Sequence, residues 1–378
     1  MFCVFSITTG EFVVAGLLPT VAAGLGTSVG TAGLAVPAYA LGMIIGGPLL
    51  TALTAHLPRR PLMVALLGVA VVGNAASAAA PTLPVLLAAR ILTALVTSTF
   101  FAQAVVAAIR SAPPGRAGGA VAKLAFGMNL AMIAGAPLGT LIGDRWGWRA
   151  TFVAIGAGCL IGAALIRTAV TVDGEGARSS ALAELRVLRR PEVLWALALT
   201  ALGNIGVLTV FTYLAPLATR VAGLAATAVP LLLLGYGLGA TAGNLIGGAA
   251  FDRAPRSSPP VLLAALTAIL ALGWIFAGSP VGAAATIVAL GVAGFAIIPG
   301  MQARVMAAAA SAPTLAMAVN ASGYQLAAAG GGVIGGAVTD SAAGPRPIYL
   351  IAACLTAAAL TISVLRLRRP AQLAAEPH

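Results

Sequence analysis

Two ionisable residues stand alone inside long apolar stretches of this chain: Glu11, in TTGEFVVAGLLP (Thr8 to Pro19), and Arg90, at the head of RILTALVTSTFF. A charge at the centre of a helix in an apolar medium costs roughly 2.5–3.5 kcal/mol on insertion scales, so each needs a reason. Burial disfavours the charged form of a carboxylate, and a neighbouring guanidinium favours it. A carboxylate held between those effects can take up and release a proton as its surroundings change. The same two residues can instead form a static pair that fixes helix packing, or the carboxylate can attract a cationic ligand. The residues alone leave all three open.

The elements that must position them follow from composition. The chain has 378 residues, 60% apolar and 8% charged, against about a quarter charged in soluble domains. That much apolar sequence demands a bilayer, where a spanning helix needs roughly 20 residues. Twelve such runs are present, near 2–23, 32–54, 62–80, 83–108, 119–143, 149–168, 193–216, 225–250, 259–278, 281–303, 314–338 and 347–366. The expected fold class is an all-α membrane protein of twelve transmembrane helices. The 46 Gly and 23 Pro are compatible with membrane helices, and the short alternating segments of a β-barrel are missing. At 1.5 Å per residue, Glu11 lies roughly 14 Å from one end of helix 1 and Arg90 roughly 10 Å from the opposite face in helix 4. In a core about 30 Å thick those depths differ by only several ångströms, within reach of an Arg side chain.

The net charge of +12 is a topology signal and excludes nothing so much as a nucleic-acid partner. With the N-terminus cytoplasmic, 16 of the 21 basic residues fall on inner loops and four (Arg145, Arg149, Arg220, Arg346) on outer ones. That bias obeys the positive-inside rule and puts both termini in the cytoplasm. Cys3, Cys159 and Cys354 all fall in apolar runs and read as small packing residues. The first helix is too long and too polar at Thr8, Thr9 and Glu11 for a signal peptide.

A long repeat organises the runs. AYALGMIIGGPLLTALTAHLPRR from Ala38 matches GYGLGATAGNLIGGAAFDRAPRS from Gly235 at an offset of 197 residues. Tyr39 meets Tyr236, Gly42 meets Gly239, Gly46 meets Gly243, and Arg59 meets Arg256; Pro19 meets Pro216. GAPLGTLIGD ending at Asp144 matches GGGVIGGAVTD ending at Asp340. The chain therefore reads as a six-helix half over 1–168, a cytoplasmic linker over 169–192 whose centre ALAELRVLRR suits a surface amphipathic helix, and a second half over 193–378 with a short tail. Six helices per half give both copies one orientation, related by a pseudo-two-fold axis along the membrane normal. Glu11 and Arg90 fall opposite Leu208 and Ile287, so neither charge recurs. A purely architectural charge would more readily recur in both halves.

These residues resemble the major facilitator superfamily across essentially the whole chain. The likeness is nearest to its twelve-helix drug:proton antiporters, and among them to the chloramphenicol-resistance and sugar-efflux exporters. TTGEFVVAGLLP is similar to the first-helix signature, RILTALVTSTFF to the fourth-helix motif, and GAPLGTLIGDRWGWRATF to the fifth-helix antiporter motif with its outer loop. FTYLAPL and AVNASGYQLAAAGGGVIGG resemble helices 7 and 11. The loop after helix 2 departs from the pattern: TALTAHLPRR has Ala55 and His56 where the family has Asp and Arg, whereas GAAFDRAPR keeps its charges. Ala136-Pro137 stands where the family has Gly-Pro.

The resemblance implies a secondary transporter of a bacterial plasma (inner) membrane, working by alternating access, with helices 1, 4, 7 and 10 beside a central cavity. It implies export of a small amphipathic, chloramphenicol-like compound by proton antiport; sugar or metabolite efflux is the alternative, and a facilitative importer a lesser one. The proton gradient would supply the energy, with protons, the small-molecule substrate and lipid as partners, no cofactor, and a monomer as the working unit. Glu11 and Arg90 are the proton-coupling candidates. Tyr39, Gln103, Asn204, Tyr213, Gln302, Asn320 and Gln325 are candidates for the cavity, although helix–helix hydrogen bonding is the plainer role for an amide in lipid. Arg59, Arg60, Asp252, Arg253 and Arg256 are expected at an inner gate. Gly135, Pro137 and Gly139 form the antiporter-like motif, and Asp144, Arg145, Arg149 and Asp340 are expected at the outer surface as ion pairs or caps. No phosphate-binding loop is present, so ATP drive is not expected. His56 and His378 make neither a metal site nor a catalytic set, so the chain does not read as an enzyme.

Overall fold

A computed structural model of the protein describes residues 1–54, 56–113, 117–169, 191–308 and 313–368. Ala55, most of the expected linker with its amphipathic centre, the side chain of Asn320 and the tail after 368 lie outside the described residues.

The apolar runs are helices, and several of them are broken. Helix 1 is two pieces, α1 (Phe2–Phe12) and α2 (Val14–Leu25), bent by 52° at Val13. α3 (Val29–Ala32) is one turn, with the Ser28 hydroxyl capping Thr31 N, and leads into α4 (Ala35–Leu53). α5 (Arg59–Ala79) and α6 (Leu83–Arg110) follow. Helix 5 is α7 (Ala117–Leu130), a π-helical turn over Ala131–Gly135, and α8 (Ala136–Trp146). Pro137 explains the wide turn, because it has no N–H and its ring crowds the carbonyl four residues back. Gly147, at φ 84°, turns the chain straight into α9 (Trp148–Ala169).

In the second half α10 (Pro191–Thr212) breaks at Tyr213, and α11 (Leu214–Pro216) continues through a π-helical turn to Val221 at 57°. α12 (Val229–Arg253), α13 (Ser258–Phe276), α14 (Pro280–Ala308), α15 (Pro313–Thr339) and α16 (Ile348–Arg368) complete the chain. Among the described residues nine helices are long and apolar enough to span a membrane, eleven when each bent pair counts as one. α15, 27 residues long, is the further long helix in the expected order. Large apolar side chains such as Leu231, Leu245 and Val281 lie exposed on the outside, as a lipid-facing surface requires.

The sequence repeat is also a packing repeat. A Cβ placed on Gly42 of α4 would fall 2.6 Å from the Ile91 carbonyl oxygen of α6, and one on Gly239 of α12 would fall 2.6 Å from that of Val288 in α14. Gly42 and Gly239 are 197 positions apart, and so are Ile91 and Val288. The two halves therefore build the same close, small-residue helix contact.

Contacts between the halves run α2 to α11, α3 and α4 to α15, and α8 with its π turn to α12. They gather at the end that carries Ser28 and Asp340. There Asp340 accepts hydrogen bonds from Ser28 Oγ and, at 2.9 Å, from Gly30 N. The fold therefore closes the halves at that end.

Candidate functional site

Arg90 lies within α6 and is almost wholly buried at 1% exposure. Its Nη1 donates to the Gly10 carbonyl of α1 at 2.7 Å. Its guanidinium carbon lies 4.2 Å from the centre of the Tyr39 ring and 5.9 Å from that of Phe152, so aromatic faces supply attraction that water would otherwise give. The matched depths read from the sequence are thus realised as a bond between helix 4 and the residue beside Glu11. Glu11 and Arg90 form no direct ion pair among the described residues.

The carboxylate has another partner. Gln325 Nε2, on α15, donates to Glu11 Oε1 at 2.9 Å, linking residues 314 positions apart and spanning the two halves. Glu11 sits just before the break at Val13. Gly135 and Gly139 of the antiporter-like motif pack against Thr9 and Val13, on either side of it. Pro137 shapes the π turn that brings them there, and that turn also packs on α12.

Glu11 and Arg90 line a cavity between the halves together with Tyr39, Leu208, Tyr324 and Gln325. Phe12, Ala15, Val36, Phe211, Thr212 and Ala328 complete its wall. Leu208 is the repeat partner of Glu11, so the two halves present opposite chemistry at equivalent positions. Phe12 meets Phe211 edge-on at 6.0 Å between ring centres, and Phe211 lies 4.7 Å from Tyr236. The arrangement is a narrow aromatic and aliphatic cavity with, among the described residues, one carboxylate, one amide and a recessed cation. Helices 1, 2, 4, 7 and 11 supply this wall; α14, the implied fourth cavity helix, contributes none of it among the described residues.

The structure brings Tyr39 and Gln325 to the cavity and sends other candidates elsewhere. Tyr213 is fully buried in the seam between the halves, where its hydroxyl donates to the Gly332 carbonyl at 2.7 Å. Its aromatic bulk is used at the closed end, away from the wall of this cavity. Asn204 turns back to the Thr200 carbonyl of its own helix at 2.8 Å. Gln103 and Gln302 are half-buried and are not part of this wall. Phe12, Phe211 and Tyr324 were not singled out in the sequence, although Phe12 and Tyr324 are the immediate neighbours of Glu11 and Gln325.

At the expected inner gate, Arg60 donates through Nη2 to the Arg167 carbonyl, and Arg59 is buried at the start of α5. Arg253 bonds weakly to the Ala249 carbonyl, while Asp252 and Arg256 are exposed. Asp252 makes no ion pair with Arg253 or Arg256 among the described residues. At the opposite end Asp144 and Arg145 are exposed. Arg149 donates to the Ala80 carbonyl at 2.9 Å and lies over Trp148, and Asp340 caps the chain at Ser28 and Gly30. The three cysteines are unpaired, and no cluster suited to a metal occurs among the described residues.

Known proteins share both the sequence and the architecture. The family model described as Major Facilitator Superfamily matches residues 1–314. The inner membrane transport protein YdhP of Escherichia coli (strain K12) is 35% identical over 365 residues, covering 97% of this chain and 94% of its own. The chloramphenicol resistance protein of Streptomyces lividans is 34% identical over 363 residues, covering 94% and 92%. A bacterial homolog of the human lysosomal transporter Spinster, solved inward-facing and unoccupied, superposes with a TM-score of 0.75 at 16% identity, covering 97% and 95%. The xylose transporter XylE of E. coli, partially occluded and inward open, gives a TM-score of 0.71 at 15% identity, covering 96% and 95%. At those identities the two structures speak for the fold alone.

Proposed function

The chain belongs to the major facilitator superfamily and is a membrane transporter rather than an enzyme; from that premise we propose that it exports a small amphipathic, chloramphenicol-like compound in exchange for protons. The observation that carries the reading is the placement of Glu11. Among the described residues it is the one carboxylate of the cavity wall, bonded to Gln325 of the other half and adjacent to the Gly10–Arg90 contact. A carboxylate so placed senses both the position of the opposite half and the local charge, which is what coupling a proton to a rocking motion requires. The aromatic wall suits the apolar part of such a substrate, and the drug class is that named for the Streptomyces relative. In this proposal both termini are cytoplasmic, so the closed end carrying Asp340 faces outward and the cavity is reached from the cytoplasm.

The test is expression in a drug-sensitive host, with a compound panel screened for tolerance and accumulation, repeated after collapse of the proton gradient. Raised tolerance that disappears with the gradient supports the proposal. Tolerance that survives collapse, or that is unchanged in a Glu11→Gln variant, removes the proton role. No change across drugs and sugars removes the export reading.

A further inference from the structure

Two prolines related by the repeat each withhold the helical donor from a backbone carbonyl, and both carbonyls belong to residues that line the cavity. In a regular helix the carbonyl of residue i accepts from the N–H of residue i+4, and proline has none to give. Pro19 therefore cannot serve the Ala15 carbonyl, and Pro216 cannot serve that of Thr212. Ala15 and Thr212 are 197 positions apart, as Pro19 and Pro216 are. Both residues line the cavity that also holds Glu11. The main chain around Thr212 makes its bonds past it: Tyr213 N donates to Thr209 O at 3.2 Å and Leu217 N to Tyr213 O at 3.0 Å. A carbonyl stripped of its helical donor in an apolar environment must find another partner.

We propose that the Ala15 and Thr212 carbonyls are substrate-binding acceptors, one from each half, and that with the Glu11 carboxylate they make one edge of the cavity select hydrogen-bond donors. The ligand class follows from that chemistry: a small amphipathic molecule with at least two O–H or N–H groups along one edge and an apolar body against Phe12 and Phe211. Analogues with the same skeleton whose donors are replaced by fluorine or capped by methyl leave the carbonyls unpaired and bind less well. Because one acceptor belongs to each half, a ligand with two donors bridges the halves across the pseudo-two-fold axis. The proposal rests on the export reading above for its choice of first probes.

The experiment measures binding to the purified full chain by competition with radiolabelled chloramphenicol. Thiamphenicol and florfenicol form the matched pair, since the second carries fluorine where the first has a hydroxyl. The expected result is about tenfold weaker binding of florfenicol, the worth of one lost hydrogen bond. Pro19→Ala and Pro216→Ala each return an N–H to the carbonyl, so the preference should fall in one or both variants. Equal binding of the pair, or a preference unchanged in both variants, overturns the inference and leaves drug export standing. If none of the three drugs binds, the drug reading fails instead. The inference is then decided by octyl glucoside against its tetra-O-methyl ether, followed by intrinsic fluorescence in a fluorinated detergent. A preference for the free sugar that weakens in the proline variants upholds it, and equal binding or none overturns it.

Discussion

The amide of Gln325 reaches across from α15 to hold the carboxylate of Glu11 on α1 at 2.9 Å. That bond is made between the two halves, at the level where helix 1 bends. Rocking one half against the other must stretch or break it, so the environment of Glu11 is tied to the conformation of the whole molecule.

A double-mutant cycle on Gln325→Leu and Glu11→Ala, each of which removes the bond, measures this tie. A hydrogen bond to a charged group contributes about 1.5–3 kcal/mol, and residues in direct contact couple non-additively. We predict a coupling of that order in thermal or denaturant unfolding of the purified protein at neutral pH. Additive single-variant effects would show that the bond is not populated.

Glu11→Gln keeps the size and hydrogen-bonding capacity of the side chain and removes its charge cycle. Gradient-driven efflux is expected to fall about tenfold or more, while substrate exchange at equal pH on both sides stays within about threefold, because exchange needs alternating access but no net proton movement. Both rates are read from reconstituted vesicles. Loss of exchange together with efflux would mean that Glu11 holds substrate or structure rather than coupling the proton.

How much of this was readable beforehand follows from which forces are local. The helices and the unrepeated charges are legible, because a bilayer makes apolar length and buried charge conspicuous in sequence. The repeat is legible through Tyr39 with Tyr236 and Gly42 with Gly239, since two copies of one close contact keep the same small residues. The bend positions are not: Pro19 and Pro216 announce distortion, yet the breaks fall earlier along the chain, at Val13 and Tyr213. The Gln325 contact links residues 314 positions apart, and nothing local marks it. Tyr213 reads as a cavity residue by type, but its hydroxyl finds the Gly332 carbonyl in the seam, a choice made by tertiary proximity.

The paired glycines give a stability test with an internal control. Gly42→Val and Gly239→Val each place atoms on a facing carbonyl, at Ile91 and Val288 respectively. Each is expected to cost at least about 1–3 kcal/mol as overpacking and to lower the unfolding temperature by a similar amount, because the contacts are repeat-related. Thermal unfolding in detergent reads both. A large loss in one half with none in the other would show that the packing repeat is not shared energetically.

The closed end gives the last prediction. Asp340 accepts from Ser28 Oγ and from Gly30 N, with Thr31 Oγ1 at 3.4 Å, and all three partners belong to the other half. Opening that end breaks these bonds, so they hold the present state against its alternative. Charge-assisted bonds contribute about 1.5–3 kcal/mol, so Asp340→Ala should shift the balance of states about ten- to a hundredfold toward opening there. Asp340→Asn keeps one acceptor oxygen and can still donate to Ser28, so its shift should be smaller. The readout is the rate at which a membrane-impermeant maleimide labels Val29→Cys, now 4% exposed, after Cys3, Cys159 and Cys354 are replaced by alanine. Faster labelling in the order Ala, Asn, parent establishes Asp340 as the tie, since only its side chain changes. An unchanged rate in Asp340→Ala would place the closure instead in the Tyr213 seam, where the Tyr213 hydroxyl lies 3.5 Å from the Gly30 carbonyl of the other half and Tyr213→Phe removes that contact.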